Sequence, residues 1–214
     1  MALLGTRKSS LRVRGIARRD KLLEAARELL KTREMDAISL GDVAKLAKVP
    51  KGSAYHFYAN IVDVYASLVA LHDKDLQSLM SAAIRKPVKN WAEIMEILLD
   101  RAAIFYFRNP SARQLLVGPK TLPELKMRDR QNDVVIGKVF EDHVAALFVL
   151  PPLPHRSDIF FRAVEIADLM FCLSMLGHRE ITEEMTSEAK RAAIAYLSSY
   201  IPAALPRKGA PKGR

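Results

Sequence analysis

Residues 39–57, SLGDVAKLAKVPKGSAYHF, contain two helical patterns of about two turns each, set three or four residues apart. Helices this short are not stable alone, because nucleation costs more than two turns of hydrogen bonds return. A chain that writes two of them side by side must fold them against further helices. Ser39 precedes the first apolar position and Asp42 follows three residues later, the spacing of a capping box. Leu40, Val43, Ala44 and Leu46 or Ala47 then make one apolar face. Pro50 suits the first turn of the next helix, where a missing N–H is harmless, and that helix is expected to run to about Phe57.

Upstream, Leu22, Leu23, Ala25, Ala26, Leu29 and Leu30 recur at helical spacing, with Asp20 placed to cap a helix that starts at Arg19 and ends near Arg33. Three short helices, the last two joined by a tight turn, form the arrangement of a helix-turn-helix DNA reader. Charge agrees with that reading. Residues 1–60 hold thirteen Lys or Arg against six acids, whereas 61–206 hold seventeen against eighteen, so the total of +10 is concentrated at the termini. Such a segment suits a polyanion. Residues 1–17, with Arg7, Lys8, Arg12 and Arg14 and no acid, read as a flexible basic arm, and 18–62 as the helix-turn-helix domain. A second domain is expected over 63–204 and a disordered basic tail over 205–214.

The second domain also reads as helical. Asn60 is placed to cap a long helix to about Arg85, and Asn90 caps WAEIMEILLDRAAIFYF. Shorter and longer helical runs follow, with breaks at Asn109-Pro110, Gly118-Pro119 and Pro151 to Pro154. The last two helices are expected at about Ser157–Leu176 and Thr182–Ile201. The fold class is therefore all-α. The single Cys172 lies in an apolar run and rules out an intrachain disulfide framework. No apolar run reaches the length of a membrane span, so the expected setting is cytoplasmic, with no membrane partner.

Within the third helix, Lys51 and the helix N-terminus suit phosphate. Ser53, Tyr55 and His56 offer groups that reach base edges or phosphates, and Gly52 lets the backbone approach closely. The stretch KLLEAARELLKTREMDAISLGDVAKLAKVPKGSAYHFYANIVDVYASLV, residues 21–69, resembles the N-terminal domain of the TetR family of transcriptional regulators. SLGDVAKLAKV and PKGSAY match the family's two motifs in order and spacing. The resemblance implies Ser39, Lys51, Gly52, Ser53, Tyr55 and His56 as DNA contacts, with Arg14 and Arg18 of the arm as additional ones. Four positions depart from the family pattern. Lys48 replaces the turn glycine, Ala54 a larger aliphatic residue, Phe57 a His or Tyr, and Ile61 a common lysine.

For the second domain, the resemblance implies a ligand-responsive repressor acting on a palindromic operator as a homodimer, paired through 157–176 and 182–201. Met95, Leu98, Phe105, Leu115, Phe140, His143, Phe171 and Met175 are candidates for an effector pocket, since large deformable side chains on different helices suit a small apolar or aromatic ligand. Arg101, Arg113, Arg128 and His143 are candidate anchors for an anionic group. Two other classes compete. A non-sequence-specific architectural DNA-binding protein would share the charge pattern. A metal-dependent enzyme would need more than HDKD, where His72 and Asp75 share a helical face, or EDHV at 141–144. No nucleophile elbow, zinc-protease motif or phosphate loop is present, so the expectation is a non-enzymatic protein without metal or cofactor.

Overall fold

The computed structural model describes residues 3–209, with side chains from Gly15 onward. The side chains of Arg7, Lys8, Arg12 and Arg14 and the tail residues 210–214 lie outside the described residues. Every element described is helical: α1 (Leu3–Leu29), α2 (Leu40–Leu46), α3 (Lys51–Phe57), α4 (Ile61–Ser81), α5 (Trp91–Arg108), α6 (Pro110–Leu116), α7 (Pro123–Leu147), α8 (Arg156–His178) and α9 (Glu183–Ser198). A 3₁₀ turn, Met35–Ala37, links α1 to α2. None of the described helices is long and apolar enough to cross a membrane.

Two sequence expectations are corrected here. The first helix begins at Leu3, so the segment read as a separate arm continues into α1 and Asp20 lies inside the helix. Leu, Arg, Lys and Ala are strong helix formers, so a helix needs no apolar periodicity to start here. The tail is also docked as far as Lys208. Val149 N–H donates to Pro206 O (2.8 Å), Lys208 N–H donates to Leu147 O (2.9 Å), and the Arg207 guanidinium lies 5.3 Å from the centre of the Phe148 ring.

The capping chemistry is as the sequence predicts. Ser39 Oγ accepts from Asp42 N–H (3.1 Å) while Asp42 Oδ2 accepts from Ser39 N–H (2.9 Å), completing the box at the start of α2. Asn60 and Asn90 cap α4 and α5 through their side-chain oxygens. Helices α1 to α3 close a small core over the first half of α4, with Leu22, Ala26, Leu30, Val43, Ala54, Tyr58 and Val64 all buried. In the rest of the chain, α8 packs along α7 and α9, α4 along α7, and α5 along α9. Gly137 permits the α7–α8 approach: a Cβ there would lie 2.7 Å from the backbone of Phe161.

The two parts are joined by Gln114 of α6. Its Nε2 donates to Leu30 O (2.7 Å) and Arg33 O (2.9 Å), and its Oε1 accepts from Met35 N–H (3.0 Å). A single amide thus satisfies backbone groups that the end of α1 leaves without helical partners. Lys120 adds an ion pair to Asp36 (2.8 Å). Tyr65 of α4 donates to Met35 O from the other side (2.8 Å).

Candidate nucleic-acid interface and ligand cavity

Helix α3 has two faces. Ala54 is fully buried against the small core and Tyr58 follows it inward, donor and acceptor to the outside being left to the opposite side. There Lys51, Gly52, Tyr55 and His56 are exposed and Ser53 is half-buried. Tyr55 is 48% exposed, so its hydroxyl is free to reach outward instead of packing in the core. The Lys51 ammonium lies 5.9 Å from the centre of the Tyr55 ring, so the two side chains share one patch at the start of α3. A Cβ at Gly52 would meet nothing within 4 Å, so no intramolecular contact requires glycine there.

The remaining predicted contacts are placed differently. Ser39 Oγ donates to Asp42 Oδ2 (2.8 Å) and is committed to the cap, so it positions α2 instead of offering a free hydroxyl. Arg18 is exposed on α1. Its neighbour Arg19 is tied inward: Nε donates to Tyr58 Oη (3.0 Å) and the guanidinium reaches Ser67 Oγ (3.4 Å). Lys45 and Lys48 are exposed on the approach to α3. Sequence reasoning did not name them as contacts, although their spacing of three with Lys51 across the turn was visible.

Of the expected pocket residues, few share a cavity. Met95, Leu98 and Leu115 are ordinary buried core, and Phe105 packs edge-on against His72 (6.3 Å between centres) and Tyr106 (5.6 Å). Met175 lines a different cleft, between the end of α1 and the α6–α7 loop, with Arg113, Lys120 and Arg179. Only Phe140 and Phe171 face a common space, a cavity of about 30 Å³ walled also by Leu76, Met80, Tyr106, Ile136, Asp133 and Asp168. The expected anionic anchors are occupied or outside it. Arg101 donates to the carbonyls of Ala82 (2.6 Å) and Ala83 (3.1 Å) beyond the end of α4, and His143 Nε2 pairs with Met80 O (2.8 Å). Arg128 lies at surface clefts beside α4.

Neither suspected metal pair forms. His72 is buried and bonded to Ser111 Oγ (2.9 Å), while Asp75 is exposed. Glu141 is held by Arg156 Nε (2.8 Å) and Ser157 Oγ (2.9 Å), locking α7 to the start of α8. The acids that do converge were missed: Asp129 and Asp133 of α7 and Asp168 of α8, whose carboxylate oxygens lie within 4.8 Å of one another. Lys126 Nζ bridges Asp129 (2.8 Å) and Asp168 (2.5 Å). Burial, and then the neighbouring carboxylates, raise the pKa of Asp133 well above the ordinary aspartate range. Burial lowers that of Lys126, but the attraction of Asp168 and Asp129 outweighs it and keeps the ammonium charged. Cys172 is half-buried beside them, its thiol pushed up to about 12 by burial and by Asp168.

Two family profiles match the sequence. One, described as bacterial regulatory proteins of the tetR family, covers residues 22–68, which contain the interface just described. The other, described as the tetracyclin repressor-like C-terminal domain, covers residues 89–201, more than half of the chain. The protein belongs to the TetR family. A comparison with curated proteins returned no match. Solved TetR-family structures share the fold. A TetR-family regulator from Streptomyces coelicolor superposes with a TM-score of 0.66 at 20% identity, over 86% of this chain and 98% of that one. A TetR regulator from Rhodococcus sp. RHA1 gives 0.55 at 19% identity, over 85% and 96%. The FadR repressor of Thermus thermophilus, solved with lauroyl-CoA, gives 0.57 at 15% identity, over 92% and 99%.

Three departures from the TetR pattern acquire a physical account. Lys48 adopts φ 53°, so the turn keeps its left-handed residue at a cost of about 1 kcal/mol over glycine. Phe57 packs its ring 3.9 Å from where a Cβ on Gly15 of α1 would stand, so this position braces α3 against α1. Ala54 fits because α3 lies directly against its neighbours there and leaves its Cβ fully covered.

Proposed function

We propose that this TetR-family regulator is a ligand-released repressor that binds a palindromic operator as a two-fold dimer. The observation that carries the reading is the division of α3: Lys51, Gly52, Tyr55 and His56 point outward while Ala54 and Tyr58 fix the helix from behind. A helix so held presents side chains to the major groove without reordering the domain. Lys45, Lys48 and Lys51 then supply phosphate contacts around the turn. Dimerisation is assigned to α8 and α9. Leu169, Leu173 and Leu176 recur along α8 at helical spacing and are exposed, an apolar stripe suited to an isologous contact. An effector is expected within α4–α8. The lauroyl-CoA in the Thermus thermophilus FadR structure and the flavonoid-responsive regulator FrrA, a further neighbour with a TM-score of 0.50, support a ligand in this kind of domain.

The test is selection from random duplexes followed by titration. An inverted repeat is expected, with the two half-sites about one helical turn apart or slightly more. A pool with no shared symmetry, bound as tightly as any selected site, would instead mark an architectural DNA-binding protein. On the selected site, Lys51→Ala and Tyr55→Ala should each weaken binding by roughly 5- to 150-fold, the range of 1–3 kcal/mol per contact. Gly52→Ala separates contact from folding. It should stabilise the free protein by about 0.5–1 kcal/mol, since glycine is a poor helix former, yet weaken the complex by holding α3 off the groove.

A further inference from the structure

We propose that the effector is a protonated amine on a compact apolar or aromatic body, its ammonium seated against Asp133 and Asp168 in the cavity between α4, α5, α7 and α8. The inference rests on the reading of this domain as an effector domain and adds the chemistry of the ligand. Its starting point is Asp133 Oδ2, which is buried and has no hydrogen-bond partner among the described residues, on a side chain only 6% exposed. An unmet carboxylate oxygen in a protein interior costs several kcal/mol when charged, and its presence needs a compensating donor.

The surroundings define that donor. Asp133 and Asp168 are the ionisable carboxyl groups of a cavity otherwise walled by Leu76, Met80, Leu99, Ile136, Phe140, Phe171 and Tyr106, whose phenol is the one further polar side chain in its lining. Tyr106 and Phe171 meet edge to face at 5.9 Å, offering aromatic surface beside the carboxylates. Carboxylate plus aromatic wall is the environment that stabilises an organic ammonium, by charge pairing at one end and cation–π attraction along the sides. An anion is disfavoured by the same groups. A divalent metal fits poorly despite the convergence of three aspartates. Lys126 already holds its own ammonium between Asp129 and Asp168, and the remaining walls are carbon where a hard cation needs six or more oxygens.

The charge balance points the same way. The carboxyl groups of Asp129, Asp133 and Asp168 face one ammonium from α7, while Glu165 of α8 is paired with Arg130 (3.5 Å) and Asp73 of α4 feels Arg128; Asp73 and Glu165 each keep a buried oxygen without a partner among the described residues. An incoming ammonium is the partner that would let Asp133, whose pKa burial raises, ionise. The cavity of about 30 Å³ admits an ammonium group but not a ring. A ligand body larger than this must push the walls apart, and Leu76 and Met80 of α4, the helix that follows α3 after three residues, are among them. Displacement of α4 would couple the seat to the reading head, as release from an operator requires.

Phenethylamine serves as the probe, with phenethyl alcohol and 3-phenylpropanoate as neutral and anionic counterparts and manganese(II) as the metal control. Each is titrated calorimetrically against the full-length protein and against Asp133→Asn. The amine is expected to bind and to raise Tm, with the alcohol and the carboxylate at least about 30-fold weaker, the scale of a lost buried charge partner. Asp133→Asn should lose amine affinity by a similar factor while its own Tm is no lower than that of the wild type, because a buried unpaired carboxylate has been removed. Equal binding of the alcohol, undiminished binding to Asp133→Asn, stoichiometric manganese, or no binding of the amine would each overturn the proposal. Operator binding is measured on the same preparations. A protein that binds its operator but not the amine defeats this inference alone, whereas failure to select any operator defeats the regulator reading beneath it.

Discussion

His72 carries its imidazole into the junction of α4, α5 and α6, bonded to Ser111 Oγ and stacked edge-on against Phe105. Burial, with the charge of Arg27 a lesser cause, lowers its pKa from 6.5 to about 4. A depressed folded pKa means that the folded chain prefers the neutral ring. The resulting stability is complete above pH 6.5 and is lost as pH falls toward 4, by roughly 3 kcal/mol at 1.36 kcal/mol per pH unit. Asp73, its chain neighbour, is raised to about 6 by burial and acts in the opposite sense, contributing below pH 3.8 and losing that contribution as pH rises through 6. His72→Gln keeps a hydrogen-bonding group for Ser111 but cannot titrate. Thermal melts from pH 7 to pH 4 should therefore show the wild type falling relative to the variant, and parallel curves would contradict the assignment. The sequence HDKD reads as an exposed pair, yet His72 and Asp73 belong to the buried stripe Val64, Leu68, Val69, Leu76, Met80 of α4. Their spacing was visible; polarity hid it.

Among the elements, α2 is the one most dependent on local chemistry. Seven residues give it almost no stability of its own, and the reciprocal Ser39–Asp42 bonds fix where it starts. Ser39→Ala should cost about 1 kcal/mol in urea unfolding and weaken operator binding by displacing α3, which packs on α2. A variant that unfolds at the wild-type midpoint would show the cap to be dispensable. This cap, those at Asn60 and Asn90, and the left-handed turn at Lys48 were legible because each is written in two or three adjacent residues. The N-terminal half of α1 was not, since its sequence carries no periodic apolar signal. Helix α7 misled for another reason. Its buried stripe Leu125, Asp129, Asn132, Asp133, Ile136, Phe140 keeps helical spacing throughout, but three of its members are polar and resemble a solvated face. The candidate cavity was consequently sought among Met and Phe positions, of which Phe140 and Phe171 line it while Met95 and Phe105 are core.

At the scale of the whole molecule, the stripe Leu169, Leu173, Leu176 is left exposed among the described residues. Leu173→Glu should leave folding within about 0.5 kcal/mol, as for other surface substitutions, while converting the protein to a monomer. Urea unfolding reads the first effect and sedimentation equilibrium the second. An unchanged dimer would place the contact elsewhere. The α-helical class and the division into a basic reading head and a larger, nearly neutral remainder could be taken from charge and periodicity, whereas the Gln114 clasp between them could not. That clasp joins residues about eighty positions apart, and nothing in the pattern around an isolated glutamine distinguishes it from a surface one.

The Arg101 guanidinium, gripping the carbonyls beyond Ser81 while His143 holds that of Met80, turns the far end of α4 into a fulcrum. The helix is 21 residues, or about 30 Å at 1.5 Å per residue. Leu76 stands roughly 7 Å from that fulcrum and Ile61 about 30 Å from it. A rigid rod hinged there multiplies displacement by about four, so a shift of about 1 Å at Leu76, less than the width of a methyl group, becomes about 4 Å at the root of α3. With an effector seated as proposed, this gearing would carry its displacement to the opposite end of the helix.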